Sequence, residues 1–210
     1  GDAARWHLAQ GQHLYRPMWA NQFSLFVQPE GGEPDARVLC TAAPKDDSLS
    51  GWRWGWPEGA GEVAGLYPLS FYRYRRHDSP VEATLTQFSP VIPHNYRETG
   101  WPVAVFDWRL ENRGARAVTV GLMLTWENMS GYLPPKGRWG NGEGNINRGF
   151  DAPYGAENKA WGVLMTSPGM VTQAGQGSMA IAAEGRPGVQ VTSHARFQAD
   201  GHGVGLWRAF

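Results

Sequence analysis

The sequence predicts an all-β protein: an antiparallel two-sheet β-sandwich of the supersandwich kind, with few helices. Three observations carry this. Glycine (28) and proline (15) interrupt the chain too often for long helices. Between those interruptions, apolar and polar side chains alternate at period two, the pattern of a half-buried strand. The clearest block, Val81 to Asn128, holds three such runs separated by turn residues. Nine or ten strands with turns at short intervals fit a sandwich.

Near the start, Trp6, Leu8 and Gln10 alternate with His7 and Ala9, which predicts a short strand ending at Gly11-Gln12. Asn21 to Gln28 places Phe23, Leu25 and Val27 on one face, with Ser24 and Gln28 opposite. Glu30 to Asp35 is a hairpin-type loop, and Arg37 to Ala42 the returning strand. Lys45 to Gly65 reads as irregular and rich in Trp and Gly. Leu66 to Arg76 is expected as one strand with aromatics on both faces, and Arg73-Tyr74-Arg75-Arg76 as a solvated strand edge.

Val81, Ala83 and Leu85 face one way along the next strand, and Ser89-Pro90 ends it, because proline has no ladder donor. Ala104, Phe106, Trp108 and Leu110 form one inward row, and Val118, Val120, Leu122, Leu124 and Trp126 a second. Glu111 to Ala115 is expected to join these two as a hairpin. If buried, each large apolar side chain contributes about 1.5–3 kcal/mol. Met129 to Lys159 reads as a long insertion, with seven glycines, three prolines and four asparagines in 31 residues. Loops of that length usually carry a task or are disordered. Further strands are expected over Ala160–Ser167, Ser178–Ala183 and Val189–Phe197, and a helix near Gly203–Phe210.

Composition narrows the function. Lys plus Arg equals Asp plus Glu, 19 each. A neutral chain without a basic stripe argues against nucleic acid, whose phosphates demand clustered cations. No apolar run reaches the roughly 20 residues of a membrane-spanning helix. No signal peptide is visible, although Gly1 is not a natural start, so a truncated N-terminus is expected. The one cysteine, Cys40, excludes an intramolecular disulfide framework and reads as a buried thiol. Together these point to the cytoplasm; contact with a membrane surface is left open. Tryptophan is abundant, with 11 residues. Its rings fill β cores and interfaces, and they also stack on sugar faces.

No metal or cofactor site is readable. The six histidines, His7, His13, His77, His94, His194 and His202, show no H-x-H or H-E-x-x-H spacing, and no G-x-S-x-G elbow occurs. Gly140 to Gly144 lacks the strand–loop–helix setting and the lysine of a phosphate cradle. Asn128-Met129-Ser130 fits the N-glycosylation triplet. Glycoside hydrolysis requires two carboxyl groups at a set separation. Asp107, Glu111, Glu127, Glu143 and Asp151 qualify by type, but their spacing pairs none of them, so no catalytic residue is assigned. Two aromatic and polar groups remain. Trp52, Trp54 and Trp56 stand at i, i+2, i+4 and would share one face of a strand. With Trp207 they form either an aromatic platform or an interdomain contact. Arg138, Trp139, Asn141, Asn145 and Arg148, in the glycine-rich segment, combine donors with an aromatic face and are candidates for a substrate rim.

Several segments in order resemble one known family. Arg5-Trp6, Leu8, Gly11 and His13 resemble RWxLxxGxH, and Asn21-Gln22-Phe23 its following ADQF. Trp52-Arg53-Trp54-Gly55 leads to Leu66-Tyr67-Pro68, similar to a Trp-rich segment before an LYP strand. Phe88 to Tyr96 resembles TPxxPHxY, and Pro102 to Phe106 with Glu111-Asn112 resembles PVxVFxWxxEN. These resemble the N-terminal domain of glycoside hydrolase family 116, the non-lysosomal glucosylceramidases (bile-acid β-glucosidases) and their microbial β-glucosidase relatives.

The resemblance implies that residues 1–210 are a single sandwich domain, truncated from a longer two-domain retaining enzyme. Its partner would be a C-terminal (α/α)6 catalytic domain of the same protein, carrying both catalytic carboxylates and acting on a β-glucoside or glucosylceramide. The fragment alone is then expected to be inactive. A carbohydrate-binding module and a stand-alone interaction domain are the other readings.

Overall fold

The computed structural model describes residues 7–8, 16–128, 130, 145–154, 158–166, 178–197 and 201–210. Its fold is all-β, with antiparallel sheets and two short helices. The chain forms two compact units, Gly1–Thr125 with Asp200–Phe210, and Trp126–Ala199.

The first unit starts with a small ladder, β1 (His7–Leu8) on β2 (Arg16–Pro17). Strands β3 (Gln22–Pro29), β4 (Asp35–Val38) and β9 (Val118–Thr125) form a sheet in the order β4-β3-β9. Strands β5 (Gly61–Leu66), β6 (Leu69–Arg75), β7 (Val81–Phe88) and β8 (Val105–Asn112) form a second sheet in sequence order. The two sheets share one core. Phe23, Leu25 and Val27 of β3 face Tyr74 of β6 and Val81, Ala83 and Leu85 of β7, all buried. The Phe23 ring meets Phe106 and Trp108 of the opposite sheet edge-on, at 5.2 and 5.0 Å between centroids. Aromatic pairs favour this geometry because the positive ring edge meets the negative face.

The inward rows read for β3, β7 and β9 do face the core, and Cys40 is a buried thiol outside any disulfide. The period-two reading fails in informative places. Leu66 to Arg76 is not one strand: β5 and β6 are a hairpin that turns at Tyr67-Pro68. Gly61 to Leu66, expected to be mostly irregular, is an exposed edge strand that takes its order from β6. The β8 and β9 rows are not neighbours. β8 pairs with β7 and β9 with β3, so residues 113–117 cross between sheets instead of closing a hairpin. A turn motif reports a change of direction, not the sheet that the next strand joins. Nor is every member of the inward rows buried, since Leu110 is 37% exposed near the sheet edge. Ser24, expected on an open face, is fully buried, because the outer side of β3 is also covered. There Phe26 meets Phe210 beyond helix α2 (Val204–Ala209), at 5.9 Å.

The second unit contains the sheet β10-β11-β12, formed by Ile146–Tyr154, Asn158–Thr166 and Ser178–Glu184. Part of the expected insertion is therefore strand: β10 pairs with β11 along nine positions. Its sequence is poor in apolar alternation, so pairing defines it rather than burial. Gly162 sits centrally in β11, where a Cβ would lie 2.0 Å from the Ile181 carbonyl oxygen. The strand expected at Val189–Phe197 is absent; residues 189–197 form no ladder.

Candidate functional site

Three features stand out. The first is an aromatic stack in the first unit. Residues 48–60 form no strand, so the i, i+2, i+4 tryptophans do not share a strand face. Trp52 and Trp54 stack at 5.8 Å and 18°. Trp207 of α2 stacks on Trp52 at 5.9 Å and 21°. Trp19 closes the row with its edge on Trp54, at 5.7 Å. The indole nitrogens also work locally: Trp52 Nε1 donates to the Gly203 carbonyl at 2.9 Å, and Trp54 Nε1 to Leu49 at 2.9 Å. Gly203 has φ of 64°, and a Cβ there would press within 2.6 Å of the Trp52 ring nitrogen. Glycine permits both the left-handed backbone and the close approach. Trp56 lies apart, in the core, edge-on to Tyr74 at 5.6 Å and beneath the Arg76 guanidinium.

The second feature is an ion cluster joining the two sheets. The expectation of a solvated edge over Arg73-Tyr74-Arg75-Arg76 holds in solvation for the exposed Arg73 and Arg75, but Tyr74 is buried, Arg76 is 8% exposed, and β6 is an inner strand. The Arg76 guanidinium donates to Asp35 Oδ2 at 2.6 Å, and to Asp78 at 2.9 and 2.5 Å. Arg37 and Arg53 also contact Asp35. Burial pushes the Asp35 carboxyl up, but the Arg76 hydrogen bond and the three arginine charges outweigh it, so its pKa is lowered. The Arg76 hydrogen bond is the main cause of the lowered Asp78 pKa. Nearby, the nearly buried Glu82 accepts from Arg113 at 3.0 Å and lies 3.7 Å from Arg73. Of the carboxylates considered for chemistry, Glu111 pairs with Arg109 and Arg113 at 3.6 Å each, and Asp107 is exposed on β8.

The third feature is an asparagine clamp in the second unit. Asn128 is 1% exposed. Its Nδ2 donates to Asn147 Oδ1 at 2.7 Å and to the Thr166 carbonyl at 3.3 Å, and its Oδ1 accepts from Ser130 N at 2.9 Å. A side chain so enclosed is closed to glycosylation in the folded protein. Asn145 Nδ2 donates to the Ser130 carbonyl at 3.0 Å and the Asn128 carbonyl at 3.4 Å. Asn145 thus bonds the described residues on the far flank of segment 131–144. Arg148 is exposed on β10, opposite Leu164. Arg138, Trp139 and Asn141 lie outside the described residues, as do Glu143 and the Gly140–Gly144 run.

A shallow hollow of about 330 Å³ at the β3–β9 end is lined by Gln28 to Gly31 and Ala117 to Thr119, with Glu30 its one ionisable side chain. It offers no converging chemistry. Among the described residues, no cluster of three His, Cys, Asp or Glu could hold a metal ion, and no helix is long and apolar enough to cross a membrane. The surface aromatics that pattern reading passed over are Tyr67, Tyr96 and Trp101, at 87, 86 and 55% exposure. Their signal was present: Tyr67 and Trp101 each precede a proline and Tyr96 opens a short helix three residues after Pro93, so none lies in a strand where alternation could bury it.

These features define a β-sandwich that offers surfaces, with Asp35, Asp78, Glu82 and Glu111 committed to arginine. A family model described as beta-glucosidase 2, glycosyl-hydrolase family 116 N-term, matches residues 1–210. The chain belongs to that family, as an N-terminal domain of a glycoside hydrolase, which implies a catalytic domain in the same protein.

Proposed function

We propose that this chain is the accessory N-terminal domain of a retaining β-glucosidase or glucosylceramidase, supporting an (α/α)6 catalytic barrel in the same polypeptide. The family match along all 210 residues carries this reading. The arginine pairing of Asp35, Asp78, Glu82 and Glu111 agrees with it, since carboxylates held this way are poor proton donors and nucleophiles. Catalysis belongs to the barrel, and residues 1–210 alone are inactive. The two units act as one domain, and segment 129–159, with Arg138, Trp139, Asn141, Asn145 and Arg148, contributes to the substrate rim. The cytoplasm is the proposed compartment, in keeping with a buried thiol outside any disulfide at Cys40.

The test is hydrolysis of an aryl β-glucoside by the complete polypeptide, followed by proton NMR of the first-formed sugar. A retaining enzyme releases β-glucose first. Release of α-glucose, or no hydrolysis, overturns the reading.

A further inference from the structure

The four-stranded sheet changes character along its outer face. One cross-strand line, Arg75, Glu82 and Glu111, is charged, as is the next, Glu62, Arg73, Thr84 and Arg109. At the opposite end, one line runs Leu66, Leu69, Phe88, Val105 across all four strands and is wholly apolar. The β5–β6 turn and the β7–β8 connection leave the sheet at that same end. They add Tyr67, Val91, Ile92, Tyr96, Trp101 and Val103, each at least 41% exposed. With Leu66 and Phe71, this end holds eight of the twelve strongly exposed large hydrophobic side chains described. Such concentration marks an interaction surface, whereas scattered exposed residues are ordinary.

The connection is also built to hold its shape. Thr99 Oγ1 accepts from Ile92 N at 3.0 Å and donates to Ile92 O at 3.2 Å. Asn95 caps helix α1 (Tyr96–Thr99), accepting from Glu98 N at 3.2 Å and donating to Glu98 Oε2 at 2.7 Å. His94 is held at a left-handed φ of 63°, a strain that persists only where its surroundings impose it. Preorganisation of this kind lowers the ordering cost of binding.

We propose that this apolar end, centred on Leu66, Tyr67, Phe88, Tyr96, Trp101 and Val103, is the surface on which the catalytic domain of the same polypeptide docks. The assignment rests on the accessory-domain reading above. Three observations choose this occupant. Asn95, Glu98 and Thr99 bond within the connection, so they are not left to meet sugar hydroxyls, and what faces outward is apolar. The charges on the connection and on the adjoining outward line of the sheet, Arg97, Glu98 and Asp107, sum to one negative charge, which gives a nucleic acid or an anionic membrane nothing to bind. A covalently linked domain meets this surface at high effective concentration, ahead of any free partner.

Hydroxyl-radical footprinting of the complete polypeptide tests this, with oxidation read by mass spectrometry and normalised to each side chain's intrinsic reactivity. Tyr67, Tyr96 and Trp101 are expected to react several-fold more slowly than their exposure here dictates, with Leu164 and Val189 reacting at their exposed rates. A Tyr96→Lys, Trp101→Glu double variant should split one cooperative thermal transition into two while its far-UV circular dichroism holds. Full oxidation of the three aromatics beside a catalytic domain that is present and active overturns the docking surface and leaves the accessory reading intact. A complete polypeptide without a hydrolase domain overturns the accessory reading itself. Protection that appears only as the mass doubles assigns the surface to a second copy, and overturns the proposal in that form.

Discussion

Arg76 is one residue that ties two sheets together. It follows β6, yet it bonds Asp35 on β4 across the sandwich and lies 5.6 Å over the Trp56 ring. Removing it leaves Asp35 partly buried with only Arg37 and Arg53. Arg76→Ala is therefore expected to cost about 1–3 kcal/mol, below the full penalty of a broken buried pair because Asp35 is partly in water. Chemical denaturation reads this directly. The same cluster sets a pH dependence. Asp35 and Asp78 have folded pKa values below their ordinary ones. Their stabilisation is thus complete above the unfolded carboxylate pKa, about 3.9. It is lost as pH falls through the lowered folded values. The difference in Tm between the parent and Asp35→Asn should shrink as pH drops from about 6 to about 3. A difference that stayed constant would assign the cluster no electrostatic role. Sequence reading put Arg76 on a solvated edge because period two shows which face a residue takes, not whether its strand is internal.

Helix α2 and strand β11 show what holds at the scale of an element. The helix is six residues long, too short to be stable by itself. Its anchorage is the Trp207–Trp52 stack, the Trp52 bond to the Gly203 carbonyl, and Phe210 against Phe26. Gly203→Ala should detach it, through a positive φ and contact with Trp52 and Leu49. The expected loss is about 2–4 kcal/mol, with a change in tryptophan fluorescence as the stack opens. In β11, Gly162→Ala would drive a Cβ into the β12 backbone at Ile181 and Ala182. That substitution is expected to lower stability by about 2–4 kcal/mol, and to speed hydrogen exchange in β10–β12 before the first unit responds. The helix was legible from Leu206, Trp207 and Phe210. Strand β10 was not, because Asn, Arg, Gly, Asp and Pro hide it, and only its partner β11 reveals it.

At the scale of the whole molecule, the chain separates core from surface with little ambiguity. Phe23, Leu25, Val27, Val81, Ala83 and Leu85 are buried, while Tyr67, Tyr96 and Trp101 are carried outward on the segments that connect strands. The first set was readable as alternation. The second followed no period, and only coordinates show that the β5–β6 turn and the β7–β8 connection reach the same end of one sheet. Asn145 was singled out for its chemistry and is found bonding main-chain carbonyls at the base of segment 131–144. Asn145→Ala in the complete polypeptide is expected to loosen that base, raising proteolysis within 131–144. If the segment forms the substrate rim, KM rises more than kcat falls, which steady-state kinetics will separate.

By itself the sequence determined the fold class, most of the strands and the family, because strand alternation, turn chemistry and short ordered motifs are local properties of the chain. The tertiary structure decided the rest: which sheet β8 and β9 each join, where the tryptophans stack, which charges pair, and which apolar residues stay exposed. Those outcomes depend on contacts between residues far apart in the chain. A local pattern states that a side chain must be covered or may be wet, and only the packed fold states by what.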